Sequence, residues 1–270
     1  MALFYSEYWA FVFGVIGNVI SCMTFLAPLP TFYRIYKKKS TEGFQSVPYV
    51  TALLSAMLWI YYAHVKNKAT LLLLTINIYG FGIEAIYIII FLLYASNKAR
   101  LSTIKLLFLT VCGYGTMVIL TTYLTKGSKR LSIIGWICMV FNICVFASPL
   151  FILKQVIKTK SVAFMPLNLS FFLTLNAIVW FFYGLLIDDF YIAIPNTLGF
   201  VFGIVQMVIY LIYKDAIPLE STKLQKPNDH VLNICEDVPN GALQPDPNQV
   251  VKSGAPAVAV IGDEDPNNGK

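Results

Sequence analysis

An all-α, polytopic membrane protein is the fold class that the sequence predicts, and three observations predict it. Apolar residues make up 57% of the 270 residues and charged residues only 13%, far from the balance of an average soluble domain. Seven apolar segments are separated by short basic loops. The sequence of the first part of the chain is also repeated, with changes, in the second part. Together these features predict seven transmembrane helices, arranged as two parallel three-helix repeats joined by a linker helix (3-1-3).

The apolar segments are mostly close to the roughly 20 residues that cross a hydrocarbon core of about 30 Å. The predicted spans are residues 9–28, 47–63, 70–94, 104–124, 131–153, 167–187 and 190–213. The N-terminal span lacks the basic stretch of a cleaved signal, which predicts a retained helix. After residue 213 the composition shifts to Pro, Asn, Asp and Gly, which predicts a disordered cytosolic tail.

A shift of 121 residues aligns residues 9–63 with residues 130–184 without a gap. Matched apolar residues arise easily from composition alone, whereas matched Pro, Lys, Ser and Trp residues do not, so the match indicates an internal repeat. The matched pairs include Gly14/Gly135, Pro28/Pro149, Lys39/Lys160, Ser40/Ser161, Trp59/Trp180 and Tyr62/Tyr183. Two residues then drop out of a loop, after which Asn77 matches Asn196 and Gly80 matches Gly199.

The odd number of spans follows from the repeat. Three helices repeated back to back would face opposite ways across the membrane, and one intervening helix restores the same direction. The predicted organisation is a first repeat over residues 1–96, a linker helix over 97–129, a second repeat over 130–214 and the tail over 215–270.

Basic residues are distributed unevenly between the two sides of the membrane. Twelve lie after spans 1, 3, 5 and 7, and five lie on the opposite side. Because positive loops are retained in the cytosol, the N-terminus is predicted to be outside and the C-terminus inside. The smaller set includes a cluster of Lys126, Lys129 and Arg130. The net charge of +6 therefore reflects cytosolic loops, and no nucleic-acid partner is predicted.

Polar side chains inside the spans recur at matched positions. Ser55 and Trp59 are four residues apart and share one helical face, and Asn176 and Trp180 occupy the matched positions. The other matched residues are Ser21 with Asn142, Thr24 with Val145, and Asn77 with Asn196. Aromatic rings stack on the C–H faces of sugars, and Asn bonds their hydroxyls, so the set suits an uncharged polyhydroxylated solute. The alternative is that these residues join helices through hydrogen bonds within the membrane.

Four prolines bracket the predicted cytosolic helix ends, namely Pro28, Pro48, Pro149 and Pro166. A missing backbone hydrogen bond gives a hinge, which alternating access needs, although prolines are also tolerated at helix ends. Glu84 lies well inside a predicted span and raises the question of proton coupling. Its repeat mate is Gly203, and no second intramembrane acid or base is available as a relay, which favours a structural role.

No soluble-enzyme constellation is present in the sequence. A nucleotide-binding glycine loop, a nucleophile–base pair and metal-ligand spacing are all missing. The sequence therefore predicts no enzymatic activity and no cofactor.

Three stretches carry a family resemblance: KKKSTEGFQSVPYVTALLSAMLWIYYA, KTKSVAFMPLNLSFFL and FYGLLIDDFYIAIPN. With the long polar tail, they resemble the plant SWEET sugar transporters over residues 9 to about 214. SWEET transporters are a known example of parallel repeats. The resemblance implies a plasma-membrane facilitator that moves sugar down its gradient in either direction, without ATP or ion coupling. Its implied partners are a small sugar and the lipid bilayer, with homo-oligomerisation left open.

The resemblance also implies roles for individual residues. The sugar-binding pairs match Trp59, Asn77, Trp180 and Asn196. The positions that set pocket size match Ser21, Thr24, Ser55, Asn142, Val145 and Asn176. The hinges match Pro28, Pro48, Pro149 and Pro166. The outer gate resembles Tyr62, Lys66 and Asp189, where a Lys–Asp pair closes over the cavity.

The motifs most resemble the sucrose-carrying branch of that family, so sucrose is the expected solute and hexoses are the alternative. The chain departs from that branch at Thr24, where Val is usual, and at Asn142 and Asn176, where Ser is usual. Two Asn in place of two Ser narrow the pocket and add hydrogen-bonding capacity. The competing function is a proton-coupled amino-acid carrier of the related Pro-Gln-loop group, against which stands the lack of a Pro-Gln dipeptide at the helix bend.

Overall fold

The computed structural model describes residues 2–66, 70–145, 153–154, 156–162 and 167–215. Every regular element in these ranges is a helix, so the all-α prediction is confirmed. The helices are α1 (Ala2–Leu26), α2 (Leu29–Lys38), α3 (Val47–Lys66), α4 (Leu71–Tyr94), α5 (Asn97–Leu124), α6 (Gly127–Val145), α7 (Leu167–Leu186) and α8 (Phe190–Tyr213). The predicted hinges Pro149 and Pro166 and the predicted tail beyond residue 215 lie outside the described residues.

Helix bounds follow the apolar segments with three differences, the first being that α1 begins at Ala2 although its span was predicted from residue 9. The predicted linker span begins at residue 104, whereas α5 begins at Asn97, so Lys98 and Arg100 are helical and not in a loop. Lys, Ala, Arg and Leu are all good helix formers, which extends the helix beyond its apolar part. The basic stretch after the first span also forms a helix, α2, whose Phe32 and Ile35 are buried three residues apart.

Five helical stretches among the described residues are long and apolar enough to cross a membrane, consistent with the predicted polytopic chain. They are Ser6–Lys38, Leu71–Tyr94, Asn97–Leu124, Gly127–Val145 and Phe190–Tyr213. Helices α3 and α7 have 20 residues each, which is about 30 Å at 1.5 Å per residue. The structure therefore has the lengths that a bundle of membrane-spanning helices requires.

The helices pack in a pattern that repeats between the two halves of the sequence. Helix α4 packs on α1 and α3, and α8 packs in the same way on α6 and α7. The two triplets meet where α1 packs on α7 and where α3 packs on α6, which are equivalent contacts under the repeat. Helix α5 packs on α3, α4 and α6. This pattern places the axis that relates the repeats between α1, α3, α6 and α7.

A matched cation–aromatic pair fastens the end of each triplet. Lys39 Nζ lies 4.9 Å from the ring centre of Tyr94, and Lys160 Nζ lies 5.8 Å from that of Tyr213. Both lysines have a left-handed backbone, with φ of 55° and 54°. Since Lys39 matches Lys160 and Tyr94 matches Tyr213, the repeat extends to backbone conformation and to side-chain contacts.

Arg130, one of the three cations in the basic cluster on the predicted outer side, is held by packing contacts. Its guanidinium donates to Tyr61 Oη at 2.7 Å and to Thr122 Oγ1 at 2.9 Å. Tyr61 Oη also lies 2.7 Å from Thr121 Oγ1. This cation therefore ties α3, α5 and the start of α6 together, and its position reflects packing as well as membrane orientation.

Candidate functional site

A cavity of about 230 Å³ lies where the two triplets meet. Residues of α1, α3 and α4 line it from one repeat, and residues of α6, α7 and α8 line it from the other. The lining residues are Ser21, Phe25, Ser55, Trp59, Leu73, Ile76, Asn77, Asn142, Asn176, Trp180, Ile192 and Asn196. We call this the central cavity.

The structure brings eight of the ten predicted binding residues to the central cavity. The other two are Thr24 and Val145. Val145 lines an adjoining cavity. Thr24 lines neither, and its hydroxyl donates to the Ile20 carbonyl at 3.1 Å.

Asn77 and Asn196 are held in matching orientations. Asn77 Nδ2 donates to the Leu73 carbonyl at 2.8 Å, and Asn196 Nδ2 donates to the Ile192 carbonyl at 2.7 Å. Each bond reaches back four residues along its own helix and fixes the side chain with one amide hydrogen. An amide has a second hydrogen and a carbonyl oxygen. Those groups have no partner among the described residues and are available to a solute.

Trp59 and Trp180 are oriented by matched tyrosines. The ring of Trp59 meets that of Tyr62 edge-on, with centres 5.6 Å apart, and the ring of Trp180 meets that of Tyr183 in the same way at 5.1 Å. All four rings are buried. Edge-to-face packing restrains ring rotation, so each indole presents a fixed surface to the central cavity.

One half of the central cavity is further fixed by a hydrogen-bonded chain across the two triplets. Trp180 Nε1 donates to Ser21 Oγ at 3.0 Å, and Ser21 Oγ donates to Asn176 Oδ1 at 2.7 Å. Gly17 allows this approach, because a Cβ there would lie 3.0 Å from the Trp180 ring. Trp180, Ser21 and Asn176 match Trp59, Asn142 and Ser55 in the other repeat. Within the described ranges, these three repeat mates do not bond to one another in this way. The site is symmetric in position and asymmetric in bonding.

The central cavity adjoins a second cavity of about 580 Å³. The two share Phe25, Ser55, Asn77 and Asn142 in their linings. The second cavity reaches Val47 and Pro48 at the first turn of α3. The second cavity therefore lies between the central cavity and the end of the bundle where α3 begins.

At the opposite end, Asp189 joins the last turns of α3 to the start of α8. Its Oδ2 accepts from Tyr62 Oη at 2.7 Å and from Lys66 Nζ at 2.5 Å. Its Oδ1 caps α8 by accepting from the backbone N–H groups of Tyr191 and Ile192. The Asp189 side chain is fully buried. The three residues predicted to form an outer gate are thus in contact, and one carboxylate both caps α8 and bonds two side chains of α3.

Two of the predicted hinge prolines fall within the described residues. Pro28 separates α1 from α2, with φ of −74°. Pro48 is the second residue of α3, where proline is tolerated without a kink. Pro195 was not predicted as a hinge, yet it lies inside α8 directly before Asn196. Proline there removes a helix hydrogen bond next to a candidate binding residue.

Phe25 lines both cavities and was not among the predicted residues. Its ring packs on Gly80, where any Cβ would collide with it, and lies 6.3 Å from the ring of Tyr79. A sequence signal existed, since Phe25 aligns with Phe146 in the repeat. That signal is weak because identical apolar pairs are common in such a composition.

Glu84 is 4% exposed, and its Oε2 has no hydrogen-bond partner among the described residues. It lines neither the central cavity nor the adjoining one. Its position therefore separates it from the residues that could contact a solute.

Comparison with known proteins identifies the family. The family model described as "sugar efflux transporter for intercellular exchange" matches residues 11–99 and again residues 132–216. The two matches begin 121 residues apart, the same shift that relates the repeats. Bidirectional sugar transporter SWEET13 of Arabidopsis thaliana is 53% identical over 235 residues, covering 86% of this chain and 80% of the relative. Bidirectional sugar transporter SWEET14 of the same plant is 55% identical over 230 residues, covering 83% of this chain and 82% of the relative.

A solved structure gives the same result for the fold. A eukaryotic SWEET transporter is 36% identical to this chain, with a TM-score of 0.74 over 78% of this chain and 99% of the other. The family is one of sugar transporters and not of enzymes, in agreement with the sequence analysis. From the repeated family match, the close relatives and the shared fold, the chain belongs to the SWEET family of sugar transporters.

Proposed function

We propose that the chain is a facilitative bidirectional sugar uniporter that works by alternating access, with sucrose as its preferred solute and hexoses as the alternative. One observation carries the proposal. The central cavity combines two indole faces with amide and hydroxyl groups, and it shares lining residues with a second cavity that reaches the start of α3. At the other end of α3, Asp189 is bonded to Tyr62 and Lys66. A neutral solute with both C–H faces and hydroxyls fits the groups that line the central cavity.

The proposed topology is seven spans in a 3-1-3 order, in the plasma membrane, with the N-terminus outside and the C-terminus in the cytosol. The repeated packing of α1, α3 and α4 and of α6, α7 and α8 supports the order. The excess of Lys and Arg after spans 1, 3, 5 and 7 supports the orientation. In this orientation Asp189 closes the outer end, and the second cavity opens to the cytosol past Pro48.

The alternating step follows from how Asp189 is held. Opening the outer end requires Oδ2 to release Tyr62 and Lys66, while Oδ1 keeps its bonds to the start of α8. The triplets can then rock against each other along the α1–α7 and α3–α6 contacts, as parallel-repeat transporters do around a central site. Lys66 is partly exposed, so its ammonium regains water when the pair separates.

Solute choice is assigned to Asn142 and Asn176, which face the central cavity. Asn176 is engaged through its Oδ1 by Ser21, whereas Asn142 has no described partner and projects more hydrogen-bonding capacity toward a solute. Replacing both by the shorter Ser enlarges the cavity. The double variant Asn142→Ser with Asn176→Ser should therefore raise the ratio of sucrose to glucose uptake.

The test is uptake of radiolabelled sucrose and glucose into proteoliposomes that contain the parent or the double variant at equal protein density. The parent should transport sucrose and the variant should favour it further. Transport of neither sugar by a correctly folded parent would reject the sugar carrier, and an unchanged ratio in the variant would remove these two positions from solute selection.

The alternative function, a proton-coupled amino-acid carrier, needs Glu84 as its coupling carboxylate. A coupling carboxylate acts on the solute site directly or through a relay, and Glu84 lines neither cavity. Glu84→Gln should therefore leave sugar uptake as independent of pH as in the parent. Loss of a pH-driven uptake on this substitution would favour the amino-acid carrier.

A further inference from the structure

An apolar groove of about 460 Å³ runs along the outside of α2, away from the central cavity. Its walls are Leu29, Pro30, Phe32, Tyr33 and Tyr36 of α2, with Ile90 of α4. Leu29, Tyr33 and Tyr36 are each more than half exposed. Ile90 lies four residues before the end of α4, which is about 6 Å along the helix axis. In the proposed topology, on which this inference rests, the groove is therefore at the depth where acyl chains meet headgroups.

Two lysines stand at the polar end of this groove. Leu29, Tyr33 and Lys37 follow one another at intervals of four residues and form a single stripe along α2. Lys39 Nζ lies 3.9 Å from the ring centre of Tyr36, the last groove residue of α2. Both lysines are exposed. The stripe thus changes from apolar to cationic in the direction from the membrane to the proposed cytosol.

Neighbouring charges leave this end positive. The sequence from 29 to 46 contains one acidic residue, Glu42, and it forms salt bridges with Lys38 and Arg34. The hydrogen bond from Lys38 holds the pKa of Glu42 below its ordinary value, with a further contribution from Arg34, so this carboxylate stays ionised. Glu42 therefore neutralises a stripe other than the one that carries Lys37. Lys37 has no partner among the described residues.

From this placement we propose that the groove and the two lysines form a binding site for an anionic phospholipid of the cytosolic leaflet. One acyl chain lies in the groove between α2 and α4, and the headgroup phosphate is bound by Lys37 and Lys39. The cytosolic leaflet carries the anionic lipids and attracts basic residues next to the membrane. Tyrosines at the interface, such as Tyr33 and Tyr36, place their rings at the headgroup level.

Native mass spectrometry of the full-length protein in detergent tests the site, with phosphatidylserine or phosphatidylcholine as the added lipid. The parent should retain phosphatidylserine in preference to phosphatidylcholine. Lys37→Glu should weaken retention of phosphatidylserine roughly fivefold or more, since each basic residue near the surface contributes on that scale. Ile90→Trp should weaken retention of both lipids by filling the groove. Lys98→Glu is the matched control, because Lys98 is exposed, lies on the same predicted side of the membrane and does not line the groove.

Two further arms separate other occupants. Glycerophosphoserine, which has the headgroup without acyl chains, should not displace the lipid, and displacement would show a headgroup site without a groove. A photoreactive amino acid at Tyr33 should crosslink to lipid in native membranes, and crosslinking to a second copy of the chain would identify a dimer interface. The proposal is also overturned if the parent shows no preference for the anionic lipid, or if Lys37→Glu and Ile90→Trp both bind like the parent.

Discussion

Asn77 and Asn196 are the residues whose geometry most directly suggests solute binding. Each is fixed by one bond to its own helix and keeps the rest of its amide free toward the central cavity. Substitution of either by Ala removes about 0.5–1.5 kcal/mol for each hydrogen bond that water does not replace. Sugar affinity, measured by concentration-dependent uptake, should fall roughly twofold to tenfold for one bond and further for two.

Thr197→Val is the matched control for the two Asn variants. Thr197 follows Asn196 on α8, and its hydroxyl bonds the Ala193 carbonyl in the same way, yet it does not line the central cavity. Val has nearly the shape of Thr, so affinity should be unchanged. Parental affinity in Asn77→Ala and Asn196→Ala at matched surface expression would show that these residues hold helices together and do not bind sugar.

Gly17 controls the position of Trp180. Its substitution by Ala places a Cβ 3.0 Å from the indole, which must move and loosen its bond to Ser21. Overpacking of this kind costs about 1–3 kcal/mol. Gly17→Ala should lower sugar uptake and melting temperature, both measured on purified protein.

Gly82→Ala provides the comparison for Gly17→Ala, because nothing lies within 4 Å of a Cβ at that position. Ala favours helix over Gly by up to about 1 kcal/mol, so Gly82→Ala should retain uptake and stability. Equal behaviour of the two variants would mean that close packing on Trp180 is unimportant.

At the level of elements, Asp189 at the start of α8 is both a helix N-cap and a member of the proposed outer gate. Asp189→Asn keeps an oxygen for the cap but removes the charge that holds Lys66. A hydrogen bond to a charged group is worth about 1.5–3 kcal/mol, so the outer end should open about tenfold more often or more. Asp189→Ala should in addition lower the melting temperature, since loss of an N-cap costs about 0.5–2 kcal/mol.

Cys138 can report this opening. It is buried between α6 and α3, where its Sγ contacts the Leu58 carbonyl at 3.5 Å. In a background with the other cysteines replaced, a membrane-impermeant thiol reagent added outside should modify Cys138 faster in Asp189→Asn than in the parent. Equal rates would mean that the Lys66–Asp189 pair does not hold the outer end closed.

Much of the element level could be predicted from the sequence, and the exceptions have physical causes. Apolar length located the long helices because membrane spans must satisfy their backbone internally. Helix α2 was missed because its basic residues suggested a loop, although Phe32 and Ile35 are spaced to share one buried face. The hydrogen bonds that link Trp180, Ser21 and Asn176 could not be predicted. The repeat shows which positions match, but not that only one of the two matched sets is hydrogen-bonded.

The central cavity could be predicted residue by residue only in part. Trp59, Trp180, Asn77 and Asn196 stood out because costly or distinctive side chains were repeated at matched positions. Phe25 did not stand out, because it lies among many other apolar residues. Pro195 did not stand out either, because its repeat mate is Ile76 and not a proline. The pairing of Lys66 with Asp189 was predicted from family resemblance alone, as neither residue has a charged repeat mate.

For the whole molecule, the distribution of Lys and Arg predicts the orientation. In the proposed orientation the C-terminus is cytosolic, so an epitope placed there should be reached by antibody only after the cells are permeabilised. Arg130 does not weaken this expectation, because its guanidinium is engaged by Tyr61 and Thr122. Antibody binding to intact cells would reverse the proposed orientation and place Asp189 at the cytosolic end.

The central claim is passive transport of sugar through a site that alternates between the two sides of the membrane. Its most direct test is radiolabelled sucrose uptake into proteoliposomes, with and without an imposed pH gradient and with unlabelled sucrose preloaded inside. Uptake should level off at the outside concentration in both conditions, and preloading should drive transient counterflow, since one site serves both directions. Steady accumulation above the outside concentration under the pH gradient, or no counterflow, would contradict a uniporter.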